Sequence, residues 1–187
     1  MDFSKDLALF IPHTEEEEIL KHKTEELLKT YGEALFTRAC AACHLTSSGF
    51  VLNPEQTRVL FVHHNIYRAW SFAGGHADGE RDLLSVALRE AMEETGISRV
   101  RPLSEGIASL DSLPVPAHIR RSETVLAHEH INASYLLVCG EDEFLAPRLS
   151  ENSGVRWMAV KDIARECGEP HMLPIYEKLL NRAKELK

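Results

Sequence analysis

Three glutamates at helical spacing, introduced by a glycine-rich segment, constrain this chain more than any other feature. Gly74-Gly75-His76-Ala77-Asp78-Gly79-Glu80 is followed by Arg89-Glu90-Ala91-Met92-Glu93-Glu94-Thr95-Gly96-Ile97. At 3.6 residues per turn, Glu90, Glu93 and Glu94 stand at i, i+3 and i+4 and project from one helix face. Like charges held that close repel unless a cation lies among them. A hard ion such as Mg2+ suits carboxylate oxygen and keeps waters that a phosphate can displace. The pattern predicts a helix from about Asp82 to Thr95, stopped by Gly96. The competing reading is an ordinary charged, exposed helix face. The glycines on both sides of the helix argue against it.

Around this segment, helical and strand patterns alternate. Residues 14 to 36 read as a helix, with Thr14 as N-cap and Glu15 to Glu18 suited to the positive end of the dipole. Ile19, Leu20, Leu27, Leu28, Tyr31 and Leu35 make its interrupted apolar stripe. The Glu15–Glu18 run is read as a solvated first turn. This helix could pack on the core or serve a homodimer contact. Strands are expected over 44–52 and 58–64, around a turn at Asn53-Pro54-Glu55-Gln56, and again over 133–139 and 155–160. Pro102, Pro114 and Pro116 break the intervening region into short strands and loops. A short helix is expected over 161–167 and a closing helix over 174–186. The alternation implies a sheet sandwiched by helices. The chain is long enough, at 187 residues and 44% apolar, for one full hydrophobic core.

Charge and composition exclude several classes. A net charge of −8 makes duplex nucleic acid a poor partner. No apolar run approaches the ~20 residues of a membrane span. The N-terminus carries no basic region followed by an apolar stretch, so no signal peptide is read, and the four cysteines are expected to be reduced thiols in a cytoplasm. Cys40-Ala41-Ala42-Cys43-His44 formally matches a c-type haem attachment sequence. Haem attachment belongs to exported proteins, and zinc binding through Cys40, Cys43 and two histidines lacks a second well-spaced pair.

The glycine segment and glutamate helix together resemble the box of the Nudix hydrolase family, which reads Gly, five residues, Glu, seven residues, then Arg-Glu-apolar-x-Glu-Glu-x-Gly-apolar. Arg89, Glu90, Ala91, Glu93, Glu94, Gly96 and Ile97 match its second half. In the first half Gly75 fits, but the glutamate is one place early, at Glu80, and Arg81 stands at its position. The resemblance extends to the strand 44–52, the strand 58–64, and Glu151 ahead of Trp157, where several members place an additional glutamate. It implies an α/β/α sandwich around a mixed sheet (α/β, or α+β in some schemes), with residues 39–187 as the Nudix domain and 1–38 as a helical extension. It further implies water attack on a diphosphate linkage joining a nucleoside, or another group, to a second moiety. The partner is then a small, nucleotide-derived phosphorylated substrate, and the cofactor Mg2+ or Mn2+. On this resemblance Glu90, Glu93 and Glu94 hold the metal, Arg89 orients a glutamate, and Glu151 is a further ligand or the general base.

Gly74, Gly75, His76 and Asp78 are the candidates for substrate contact, against a turn-forming and loop-locking role for the last two. His63 and His64 end a strand near the box and read as strand-end residues that could touch substrate. His128 and His130 share one strand face and could wall the site. Trp70 and Phe72 could stack a base, with apolar packing as the default. Two other readings compete. An isopentenyl diphosphate isomerase needs a catalytic cysteine where Gly74 stands. A non-catalytic binding domain of the same fold usually loses box glutamates that this chain keeps.

Overall fold

The computed structural model describes residues 2–120 and 123–186. The chain opens with α1 (Phe3–Leu9) and α2 (Glu15–Tyr31), and a 3₁₀ turn (Gly32–Phe36) carries it into the sheet. Strand β1 (Cys43–Leu52) lies at the centre. Antiparallel neighbours β2 (Arg58–His64), β3 (Ala69–Ser71) and β4 (Ala73–His76) follow, with β3 on β2 and both β2 and β4 on β1. Helix α3 (Leu83–Thr95) crosses next, then β5 (Val100–Pro102) and β6 (Ser109–Val115), which pair antiparallel with β9 (His128–Cys139). A separate hairpin joins β7 (His118–Arg120) to β8 (Glu123–Val125). Strand β10 (Asn152–Ala159) closes the sheet against β2, and α4 (Ile163–Glu166) and α5 (Leu173–Glu185) end the described chain. The sheet is mixed because β1 and β9 run parallel, with His44 opposite His130.

Side chains alternate across a strand, so each strand feeds both layers. From β1 and β9, Leu45, Val51, Ile131, Ala133, Tyr135 and Leu137 face one layer, which contains Leu83, Val86, Ala87 and Ala91 of α3 and Phe3, Leu7, Leu20 and Phe36 of the extension. Phe50, Leu52 and Leu136 face the other, against Tyr176, Leu179 and Ala183 of α5. This is the expected mixed α/β sandwich, and the extension packs on its core. Among the described residues no helix is long and apolar enough to cross a membrane.

One local expectation is corrected. Glu17 belongs to the run read as solvated, yet it is 1% exposed. Thr14 does cap α2, its Oγ1 accepting from Glu17 N. The Glu17 carboxylate turns inward, accepting from Arg182 Nη1 at 3.0 Å and Lys178 Nζ at 2.9 Å, with a second bond from Arg182 Nη2. Burial alone would raise its pKa, but the Arg182 and Lys178 cations and the His13 N–H bring it down to about 2. The partners lie on α5, too far along the chain for a local pattern to reveal them.

Candidate active site

Helix α3 forms where the spacing predicts. Asp82 caps it, its Oδ1 accepting from Ser85 N at 3.2 Å, and Gly96 ends it in the left-handed region at φ 79°. The helix lies beside β4, and glycines make the approach possible. A Cβ on Gly75 would sit 2.6 Å from Glu90 Cδ, and one on Gly74 would sit 2.4 Å from Ser48 Oγ. Bare backbone at Gly75 leaves room for the Glu90 carboxyl, and at Gly74 for the close approach of β1.

Glu94 is 4% exposed. Its Oε1 accepts from Gly74 N at 3.2 Å and its Oε2 from Asn152 Nδ2 at 2.9 Å. Burial drives its pKa up to about 7, with Glu90 and Glu151 adding repulsion against those two hydrogen bonds. Burial also raises Glu90, and Glu93 and Glu151 push the same way against Arg89. Arg89 Nη2 lies 3.5 Å from Glu90 Oε1. The site is therefore a set of carboxylates crowded in a poorly solvated place and short of positive charge. An all-oxygen donor set with that deficit fits a hard divalent cation.

The other predicted residues fall in different places. Glu93 is exposed and accepts from Arg148 Nη1 at 2.9 Å, and Arg148 Nε lies 3.7 Å from Glu151. Glu151 directly precedes β10, next to an irregularity in register between Asn152 and Gly154. Gly74, Gly75, His76 and Glu94 line a cleft of about 290 Å3, together with His64, Phe72 and His130. Asp78 makes a two-pronged ion pair with Arg38, at 3.0 Å for each bond. Glu80 is exposed and accepts from Arg81 N and Asp82 N, at 3.1 and 3.2 Å, just ahead of α3. Arg81 ties the extension to this loop, bonding Asp2 at 2.7 Å and pairing with Glu33. His63 Nδ1 meets Ser153 Oγ at 2.7 Å. Trp70 is covered by the Arg156 guanidinium, 4.3 Å from the ring centroid.

Several residues in and behind the cleft escape sequence reasoning. Asn152, fully buried, holds Glu94. Asn132 Oδ1 accepts from Thr46 Oγ1 at 3.0 Å and Ser48 Oγ at 2.9 Å, and its Nδ2 donates to Ser134 Oγ. The available signal is polar alternation within apolar strands: His44, Thr46 and Ser48 on β1, and His128, His130, Asn132 and Ser134 on β9. The parallel register that joins the two rows cannot be read from either alone.

A family model described as NUDIX domain matches residues 44–179. No curated protein sequence matches the chain. Among solved structures, the E. coli dihydroneopterin triphosphate pyrophosphohydrolase superposes with a TM-score of 0.56 at 13% identity, covering 73% of this chain and 94% of that one. The NUDIX domain of Shewanella oneidensis NrtR complexed with ADP ribose gives 0.54 at 17% identity, covering 84% and 97%. A C. elegans Ap4A hydrolase binary complex gives 0.53 at 14%, covering 75% and 98%. At these identities the likeness is one of fold.

Proposed function

The chain belongs to the Nudix family, and on that premise we propose that it is a divalent-metal-dependent hydrolase of a diphosphate linkage in a nucleotide-derived small molecule. The observation that carries this reading is Glu94, buried at the cleft, with the half-buried Glu90 one turn away repelling it and packed against Gly75. These two carboxylates hold Mg2+ or Mn2+. The ion, when bound, neutralises phosphate charge and acidifies the attacking water.

The chain's own groups do the rest. Gly74 N–H and Asn152 Nδ2 fix the Glu94 carboxylate, and Arg89 steadies Glu90. Glu93 holds Arg148, which in turn pairs with Glu151. Glu151, partly exposed beside Arg148, is the carboxylate assigned to receive the water's proton. His64, Tyr67, Phe72 and Met172 line the cleft and suit a flat group attached to the diphosphate. Asp78 and Arg38 lock the loop. The compounds named for the similar structures, Ap4A, dihydroneopterin triphosphate and ADP ribose, define the first ones to try.

A second reading, a non-catalytic nucleotide-binding domain, is favoured by one observation: Glu80, the glutamate of the first half of the box, is taken up by the backbone N–H groups of Arg81 and Asp82 ahead of α3. Phosphate-product release from a nucleoside-diphosphate panel with Mg2+ separates the two, comparing the chain with Glu94→Gln. Turnover lost in the variant is expected. Full activity in the variant refutes the site, and binding without turnover selects the second reading.

A further inference from the structure

On the sheet face opposite α3, at the cleft, imidazoles gather that the hydrolytic reading does not use. His44 on β1 lies opposite His130 on β9, and β4 brings His76 opposite Thr46. The ring of His44 lies 5.1 Å from that of His76 and 4.8 Å from that of His130, and His76 and His130 are 4.8 Å apart. One nitrogen from each of the three lies within 4.8 Å of the others. From these positions we propose that His44, His76 and His130 form a metal site for a borderline-soft divalent ion of the zinc class, separate from the carboxylate site.

Hydrogen bonding prepares the rings for this role. His44 is 5% exposed, and its Nδ1–H donates to the Cys40 carbonyl at 3.3 Å. Its Nε2 is therefore the lone-pair nitrogen, and it is buried with no hydrogen-bond partner. An orphaned buried acceptor of this kind is costly, and a metal bond would satisfy it. Donation of the second ring N–H to a backbone carbonyl is the usual orientation device for ligating histidines. His128 adds a further constraint. Its Nδ1–H donates to the Leu126 carbonyl at 2.9 Å, so its Nε2 accepts from His130 Nε2–H at 3.2 Å. That leaves Nδ1 as the lone-pair nitrogen of His130.

Neutral nitrogen donors favour zinc-class ions, whereas the glutamates favour Mg2+. A tetrahedral zinc site places its nitrogens about 3.3 Å apart, so binding draws the rings together by side-chain rotation. His76 and His130 also line the cleft, and a fourth ligand enters from that side as water or an oxygen anion. Cys40 and Cys43 stay outside the set, and burial with the adjacent Cys40 thiol holds Cys43 at about 11.

The test uses the full chain stripped with a chelator, then titrated with Zn2+ by calorimetry in excess Mg2+, and with Co2+ by absorption. One Zn2+ per chain is expected, with tetrahedral Co2+ bands and no thiolate charge-transfer band. His76→Ala and the size-preserving His130→Gln should each weaken binding by roughly 100-fold or more, while Glu94→Gln keeps it, with folding of each variant checked by circular dichroism. Absence of saturable Zn2+ binding overturns the proposal. So does a thiolate band, or binding that survives both histidine changes and fails in Glu94→Gln.

Discussion

Glu94→Gln should change the pH dependence of folding in the absence of metal. Glu94 titrates at about 7 in the folded chain against an ordinary 4.5. Because its folded pKa is raised, its stability contribution is complete below about 4.5 and is lost as pH rises through about 7. At 1.36 kcal/mol per pKa unit, the penalty at pH 8 is about 3 kcal/mol. The variant removes it, and it also relieves Glu90, which Glu94 repels. The amide fits the same place. Its oxygen can accept from Gly74 N, and its NH2 can donate to Asn152 Oδ1, now buried without a partner, once the Asn152 amide turns over. In EDTA, thermal unfolding of the two proteins is compared from pH 4 to pH 8. The difference should move in favour of the variant by roughly 6–12 °C across that range. Added Mg2+ should then stabilise the parent chain and leave the variant nearly unchanged. A difference that stays flat with pH, or moves against the variant, would refute the claim that Glu94 is an uncompensated buried carboxylate.

Three more outcomes are expected. Gly75→Ala places a Cβ 2.6 Å from Glu90 Cδ, so the Glu90 carboxyl must move; turnover should fall roughly 100-fold, measured as kcat, with Mg2+ affinity reduced. Glu17→Ala leaves Arg182 buried without its carboxylate and should cost about 3–5 kcal/mol in urea unfolding. Because the Glu17 pKa is depressed, its stabilisation is present above about 4.5 and fades as pH falls toward about 2, so the variant and parent should converge in acid. Gly96→Ala combines φ 79° with a Cβ only 2.8 Å from Ala146 N, and a loss of about 1–3 kcal/mol in Tm-derived stability is expected.

The parts of this molecule governed by short-range rules were legible in the sequence. Helix α3 is written in glutamate spacing, the Asp82 cap and Gly96, and β1 and β2 appear where apolar runs flank a Pro-containing turn. The helix expected over residues 14–36 resolves into α2 and a 3₁₀ turn, because Gly32 takes φ 51° between them. Strand β4 escapes because Ala-Gly-Gly-His has no strand propensity of its own; pairing with β1 supplies it. Helix α1 is too short to show a period. The burial of Glu17, the Asn152 clamp on Glu94 and the histidine cluster depend on residues 165, 58 and up to 86 positions away. Side-chain chemistry within a strand marks such residues as polar; only strand register and helix docking decide which of them meet.

The Glu17–Arg182 pairing also sets a timetable for synthesis. Residue 17 leaves the ribosome long before residue 182, and at about 5–20 residues per second the interval is roughly 10–30 s. During it, α2 can form its turns, but seating Glu17 in its final place would bury a bare charge. The N-terminal helix should therefore wait undocked and exposed to proteases on nascent chains stalled before α5 emerges, and become resistant only once that last helix is released. Protection of α2 on those shorter stalled chains would show that docking does not need Arg182.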